Sequence, residues 1–340
     1  MGKRAKRRLR GREKEGAALR LQYPGHEHIR APLRLALGAP QDMQIIVEFL
    51  TRLEEAATDG DRSVLLDLHD TKIIDAVACV MLAAAMQKLD IECGVKVTVR
   101  MPRNGSARFA LKLFGVTRDG EAVLEEAGGR ILRVTSGMLG DPSPGARTFE
   151  VARLVEQFVS DQTLADKVHA ALNEAADNVL SWAYGANSPP NPSERWWVAG
   201  MLTSTRATFI ALDHGLGIPA TAPQNFGDGL SGLIKTMMQD KEWKPVNLKP
   251  TDAQILLTTI RQRRTVSGLD ERGKGLSSMI ALIDRFSGGF INILSGDALY
   301  GYRNFAHTQG DDEYCIPLGF RFPGTLIIWQ LEGGPSEESI

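Results

Sequence analysis

Leu164 to Gly185, LADKVHAALNEAADNVLSWAYG, is the stretch that most constrains the fold. Val168, Leu172, Ala175, Val179 and Trp182 recur at spacings of three and four, so they make one apolar stripe along a helix. Such a helix has to lay that stripe on a sheet or on other helices. Thr163 and Asp166 read as a capping box at its start. Glu174 and Asn178 are four apart, so their side chains leave the same side on successive turns. They sit at the edge of the stripe, not opposite it. An acid and an amide facing a cleft from one rigid helix can hold a hydrated metal ion and activate a water or hydroxyl. An ordinary amphipathic helix with two polar rim residues satisfies the same pattern.

Two later stretches bear on that choice. In Phe209 to Pro219, FIALDHGLGIP, a strand ends in Asp213 and glycines follow at 215 and 217. In Glu271 to Met279, ERGKGLSSM, glycines at 273 and 275 lead into a helix. Gly324-Thr325 then opens an apolar strand, TLIIWQL. Taken singly, Asp213 suits a turn, where Asp before Gly is common, and the second glycine pair suits a capped surface loop.

The order of these stretches resembles the N, G1 and G2 boxes of the GHKL ATPase superfamily. That group includes type II topoisomerase ATPase subunits, mismatch-repair ATPases and histidine kinases. The resemblance implies a histidine-kinase-like α/β sandwich, a mixed sheet covered by helices, that binds ATP and Mg²⁺. It implies that Asp213 accepts a hydrogen bond from the adenine amino group; an ionised carboxylate accepts and never donates. Gly215 and Gly217 would let the backbone approach the ligand and take positive φ. Gly273 and Gly275, with Arg272 and Lys274, would present free N–H groups and positive charge to phosphates at a helix N-terminus. Asn178 would hold Mg²⁺, and Glu174 would act as general base. Thr325 would belong to the nucleotide site through the Gly-Thr step that opens the terminal strand in histidine-kinase-like ATPase domains. Histidine kinases that phosphorylate their own histidine commonly have Asn where Glu174 stands. The acid favours hydrolysis, or transfer to a protein hydroxyl. The ending WAYG also resembles anti-sigma-factor serine kinases, with Trp182 replacing their usual His. His214 stands where Asn is more usual and is assigned no role. The segment Pro219 to Glu271 is the expected mobile ATP lid, with a helical piece from Asp252 to Arg264.

The N-terminal third alternates strand and helix. Tyr23 to His28 reads as surface loop and Ile29 to Leu37 as a first strand. A helix is expected over Gln41 to Ala57, strands over Ser63 to Leu68 and Val95 to Met101, and helices over Asp75 to Leu89 and Ala107 to Phe114. The run LLDLHDTKIIDAVACVMLAAAMQKL, then VKVTVRMP and ARFALKLFGV, resembles a STAS domain, a module of bacterial anti-anti-sigma factors. Phosphorylatable members carry an Asp-Ser-Ser-Gly-like turn at the helix start. Here the turn is Asp75-Ala76-Val77-Ala78, without a hydroxyl, and Thr71 lies outside it. The resemblance implies a docking or sensing module instead of a phospho-switch. A small α/β domain without that kinship fits the same alternation.

The domain expectation is a basic arm over 1–22, a STAS-like domain over 23–135, and a linker over 136–146 marked by MLGDPSPGA. The ATP-binding domain follows over 147–332, beginning with a helix from Phe149 to Ser160, and a frayed tail covers 333–340. Residues 1–15 hold eight Lys or Arg against two Glu, on a chain of net charge −1. The arm can touch an acidic partner or nucleic acid, though it has no aromatic residue to stack on bases; a solvated tail is the plain alternative. The longest apolar run, Val77 to Met86, is far short of the ~20 residues that span a bilayer. Cys79, Cys93 and Cys315 lack metal-ligand spacing and read as reduced thiols of a cytoplasmic protein. The functional expectation is an ATP/Mg²⁺-dependent conformational switch with ATP hydrolysis, with a protein partner at the STAS-like domain and a homodimer compatible. The alternatives are a serine/threonine kinase of the anti-sigma type and a non-catalytic ATP-binding module.

Overall fold

The computed structural model describes residues 21–38, 40–58, 63–116, 123–126, 129–138, 162–183, 195–226, 228–239, 249–265, 275–305 and 312–335. The class is α/β, as expected. Two compact units emerge, one of residues 1–78 and 82–111 and one of 79–81 and 112–340.

In the first unit, strands β1 (His26–Arg30), β3 (Ser63–Asp67) and β5 (Val97–Arg100) form a parallel sheet in the order β1-β3-β5. A second parallel pair joins β2 (Arg34–Leu35) to β4 (Ile73–Ile74). Parallel neighbours need crossovers, and helices α1 (Pro40–Thr58) and α2 (Ala76–Glu92) supply them. Val64, Leu65 and Leu66 are all fully buried, as a strand covered on both faces requires. The first strand differs from expectation. It begins at His26, inside the stretch read as loop, and it stops at Arg30 where Pro32 interrupts the ladder. Register places Arg30, Asp67 and Arg100 side by side, so alternating charges close that end of the sheet. Helix α3 (Gly105–Leu113) starts on Asn104, whose Oδ1 accepts the N–H of Ala107 at 3.0 Å, and ends before Gly115 at φ 73°.

At the start of α2, Asp75 is the cap. Its Oδ1 accepts from Ala78 N at 2.8 Å and its Oδ2 from Leu37 N at 2.6 Å. Burial of this carboxyl raises its pKa against those bonds. Thr71 is buried, and its hydroxyl donates to the Pro32 carbonyl at 2.9 Å.

The second unit is a six-stranded sheet in the order β10-β11-β9-β8-β7-β6. Its strands are β6 (Val123–Glu126), β7 (Gly129–Met138), β8 (Arg195–Thr203), β9 (Arg206–Asp213), β10 (Phe286–Phe305) and β11 (Asp312–Pro335). Every described ladder of this sheet is antiparallel, where a mixed sheet was expected, with β6 paired to β7, β8 to β9 and β10 to β11. The expected boundary at 135/136 falls inside β7. Strands β6 and β7 add to β8, so the sheet of the second unit begins near residue 123. The expected helix at 149–160 and the remainder of the expected linker lie outside the described residues.

Helix α4 (Gln162–Trp182) is the helix read from the apolar stripe. It starts at Gln162, one residue before the expected cap, so Thr163 lies inside it, and Gln162 Nε2 donates to Asp166 at 3.0 Å. Val168 and Leu172 share a core with Leu256 and Ile260 of α7 (Asp252–Thr265) and with Met279 and Ile280 of α8 (Gly275–Ile283). The sheet offers alternate residues to that core, among them Trp196, Phe209, Ile291 and Trp329, as strand periodicity demands. Between β9 and α7 lie α5 (Ile218–Thr221), a 3₁₀ turn over Ala222–Asn225, and α6 (Leu230–Gln239).

The β10–β11 hairpin is bent sharply. Gly301 pairs with Tyr314, yet the Tyr314 hydroxyl donates to Asn292 Oδ1 at 3.2 Å. Nine residues of straight strand would separate those positions by about 30 Å. The bend falls at Gly296 and Gly324, at φ 60° and 84°, where the register shifts.

Candidate functional site

Asp213 is the last residue of β9, an interior strand. Trp196 of β8 faces it on one side and Thr325 of β11 on the other. It is 1% exposed. Its Oδ1 accepts the N–H of Gly215 at 2.8 Å, and Thr325 stands directly opposite it on β11. Burial pushes the carboxyl up to about 7, because Gly215 and Thr325 only partly offset its desolvation. His214, next in the chain, stacks against Trp197 with centroids 4.9 Å apart.

The glycines around Asp213 have distinct reasons. Gly217 has φ 83° and precedes α5, as expected for a positive-φ position. Gly215 has no positive φ. A Cβ there would stand 2.3 Å from the carbonyl oxygen of Ala183, and Leu216 N donates to that same oxygen at 2.6 Å. Its smallness therefore brings the turn after β9 against the residue that follows α4, instead of opening space for a ligand. Gly324 has φ 84°, and a Cβ on it would lie 2.0 Å from the carbonyl oxygen of Asp213. The Gly-Thr step thus lets two backbones close on each other and aligns Thr325 with the carboxyl.

Sequence reading missed Ser295, at the bend of β10. It is fully buried. Its Oγ accepts from Ile218 N at 2.8 Å and lies 3.1 Å from Thr325 Oγ1 and 3.2 Å from the Gly324 carbonyl. The signal was a lone hydroxyl in an apolar strand, FINILSG. Asp252 was also missed as a contact; its Oδ2 accepts from Asp297 N at 2.8 Å just past the same bend.

The structure brings together Asp213, Gly215, Gly217 and Thr325. Glu174 and Asn178 lie on α4, but their side chains fall outside the described part of the structure. Arg272, Gly273 and Lys274 lie outside the described residues, and Gly275 is the first residue of α8, at a helix N-terminus as expected. Among the described residues no group of three acidic, histidine or cysteine side chains is placed to hold a metal. No described helix is long and apolar enough to cross a membrane.

The expectation of a single mobile lid over 219–271 does not hold for α7. Leu256 and Ile260 are fully buried in the core. The helix is also tied to the β10–β11 hairpin through Arg261, whose guanidinium meets Glu313 at 3.1 Å, and through the Cys315 thiol, which donates to the Ala253 carbonyl at 3.2 Å. Burial pushes that thiol up to about 12, which keeps it protonated. Comparison with protein-family models, with curated proteins and with solved structures gave no match.

Proposed function

We propose that the chain is an ATP-binding regulatory protein of GHKL type, a nucleotide- and Mg²⁺-dependent conformational switch. The observation that carries this reading is the surroundings of Asp213. A buried acid at the end of an interior strand accepts the N–H of Gly215 and has Thr325 directly opposite it on the neighbouring strand. A carboxylate has about four lone-pair positions. Acceptor positions beyond the one that Gly215 fills suit an amino hydrogen of adenine and reject the carbonyl that guanine offers there.

The order of elements supports the same reading. Helix α4, the β8–β9 hairpin ending in Asp213, the connecting helices, Gly275 at the start of α8, and Thr325 on the strand beside Asp213 follow the succession expected of the N, G1 and G2 boxes and the terminal Gly-Thr strand. In this reading Asn178 holds the Mg²⁺, and the N-terminus of α8, with Arg272 and Lys274, receives phosphates. When bound, Mg²⁺ neutralises phosphate charge. Glu174 takes a proton from the attacking water, or from a hydroxyl of a protein partner. The STAS-like unit is then the docking module, with Asp75 a structural cap in place of a phospho-acceptor.

Calorimetric titration with ATP and with GTP, each with and without Mg²⁺, tests the proposal. ATP binding strengthened by Mg²⁺, with GTP much weaker, is the expected result. Absence of ATP binding contradicts it.

A further inference from the structure

We propose that Gly215 is a positioning residue for the nucleotide site. It lets the turn after β9 dock on the C-terminal end of α4, and so fixes the helix that carries Glu174 and Asn178 relative to Asp213. The inference rests on the nucleotide-binding reading, within which it links base recognition to the Mg²⁺ and general-base groups.

The contact is backbone on backbone. Helix α4 ends at Trp182, and the Ala183 carbonyl just beyond it has no partner within the helix. Leu216 N donates to that oxygen at 2.6 Å. The Leu216 side chain is 55% exposed, so its amide and not its side chain makes the link. Glycine at 215 is what permits the approach. A Cβ there would stand 2.3 Å from the Ala183 oxygen, 2.5 Å from its Cβ and 2.6 Å from its carbonyl carbon. None of these atoms belongs to a flexible side chain, so the two segments would have to part by about 1 Å to reach ordinary contact.

Of the two segments, the turn is the one held in place. Gly215 N donates to Asp213 Oδ1 at 2.8 Å, the His214 ring lies against Trp197 of β8 with centroids 4.9 Å apart, and Ile218 N donates to Ser295 Oγ at 2.8 Å. Helix α4 is anchored in the core at Val168 and Leu172, in its first half. A wedge at Ala183 therefore swings the second half. Asn178 lies five residues before Ala183 and Glu174 nine, about 8 and 14 Å along the helix axis. Misplacing a metal ligand or a general base by about 1 Å costs on the order of 10²-fold. Asp213 keeps its place between β8 and β11, so base recognition is spared.

The test is calorimetric titration of ATP and GTP, each with and without Mg²⁺, on full-length wild type, Gly215→Ala and Gly319→Ala. Gly319 has a positive φ but open space around it, so its variant controls for lost stability alone. Where Gly215→Ala fails a circular-dichroism check of folding, Leu216 is replaced by its α-hydroxy acid analogue, which removes the N–H and adds no Cβ at 215. Gly215→Ala is expected to weaken ATP binding in Mg²⁺ by about ten- to hundred-fold. Its preference for ATP over GTP without Mg²⁺ should stay within about three-fold of wild type. The Leu216 analogue is expected to show the same split at about three- to ten-fold, the range of one backbone hydrogen bond. Mg²⁺-ATP affinity equal to wild type, a loss no larger than in Gly319→Ala, or a base preference that falls in step with the Mg²⁺ effect would overturn the positioning role. Failure of wild type to bind ATP would instead overturn the nucleotide reading.

Discussion

Thr325 stands directly opposite Asp213 on the neighbouring strand, and with Gly215 it partly offsets the desolvation of that buried carboxyl. An acid buried this fully, with no cation beside it among the described residues, is unusual for a purely structural residue. It also makes a pH signature.

Asp213 has its folded pKa raised, by burial above all, from 3.8 to about 7. A raised acid gives stability that is fully present below its unfolded pKa and is lost as pH rises through the folded one. The window is therefore about pH 4 to 7, with a total on the order of a few kcal/mol. Urea midpoints of wild type and Asp213→Asn should diverge as pH falls from 8 to 5, wild type gaining. Parallel curves across that range would mean that Asp213 titrates as an ordinary surface acid.

Gly324 should be the least replaceable of the described glycines near the site. Ala there meets both a strained φ and the Asp213 carbonyl at 2.0 Å. Gly319 has φ 77° with open space around it. Gly319→Ala is expected to cost about 1–2 kcal/mol from conformation alone. Gly324→Ala should cost about 1–3 kcal/mol more from overlap. Thermal or chemical unfolding of both variants checks this, and equal losses would show that the close approach is not required.

The first unit should stay unphosphorylated at the start of α2. Asp75 occupies the cap, and the Thr71 hydroxyl is buried on the Pro32 carbonyl. Incubation with ATP followed by peptide mapping should find no phosphate on residues 71–79. A phosphothreonine at 71 would require that loop to open and would restore a phospho-switch reading.

Much of this was legible in the chain because it depends on local pattern. The stripe of Val168 and Leu172 gives α4, and the apolar run FIAL gives the end of β9 and leaves Asp213 at a strand end. What escaped depends on distant partners. Gly215 looked like a ligand-approach glycine, but its constraint is the Ala183 carbonyl. Ser295 looked like a polar interruption in a strand, because its three hydrogen-bond neighbours come from α5 and β11. Strands β6 and β7 were assigned to the wrong side of the boundary because a two-fold alternation does not say which sheet a strand joins. Helix α7 was read as part of the lid because the resemblance places a lid between the two glycine pairs, although Leu256 and Ile260 anchor it in the core.

Glu174 separates chemistry from binding. Glu174→Gln should retain ATP affinity and lose turnover by about 10²–10⁴-fold if the acid is a general base. Phosphate release, or transfer to a hydroxyl of a partner, is the readout on folded variant that still binds ATP. Wild-type rates would move the account to a protein that uses ATP only as a conformational ligand.

The most direct measurement of the central claim is the ATP and GTP affinity of wild type and Asp213→Ala, by calorimetry with Mg²⁺. The account predicts that wild type prefers ATP. It also predicts that Asp213→Ala loses about ten- to hundred-fold in ATP affinity, the scale of one charge-assisted hydrogen bond, and the preference with it. Equal affinity of wild type for the two nucleotides, or an unchanged preference in Asp213→Ala, would contradict it.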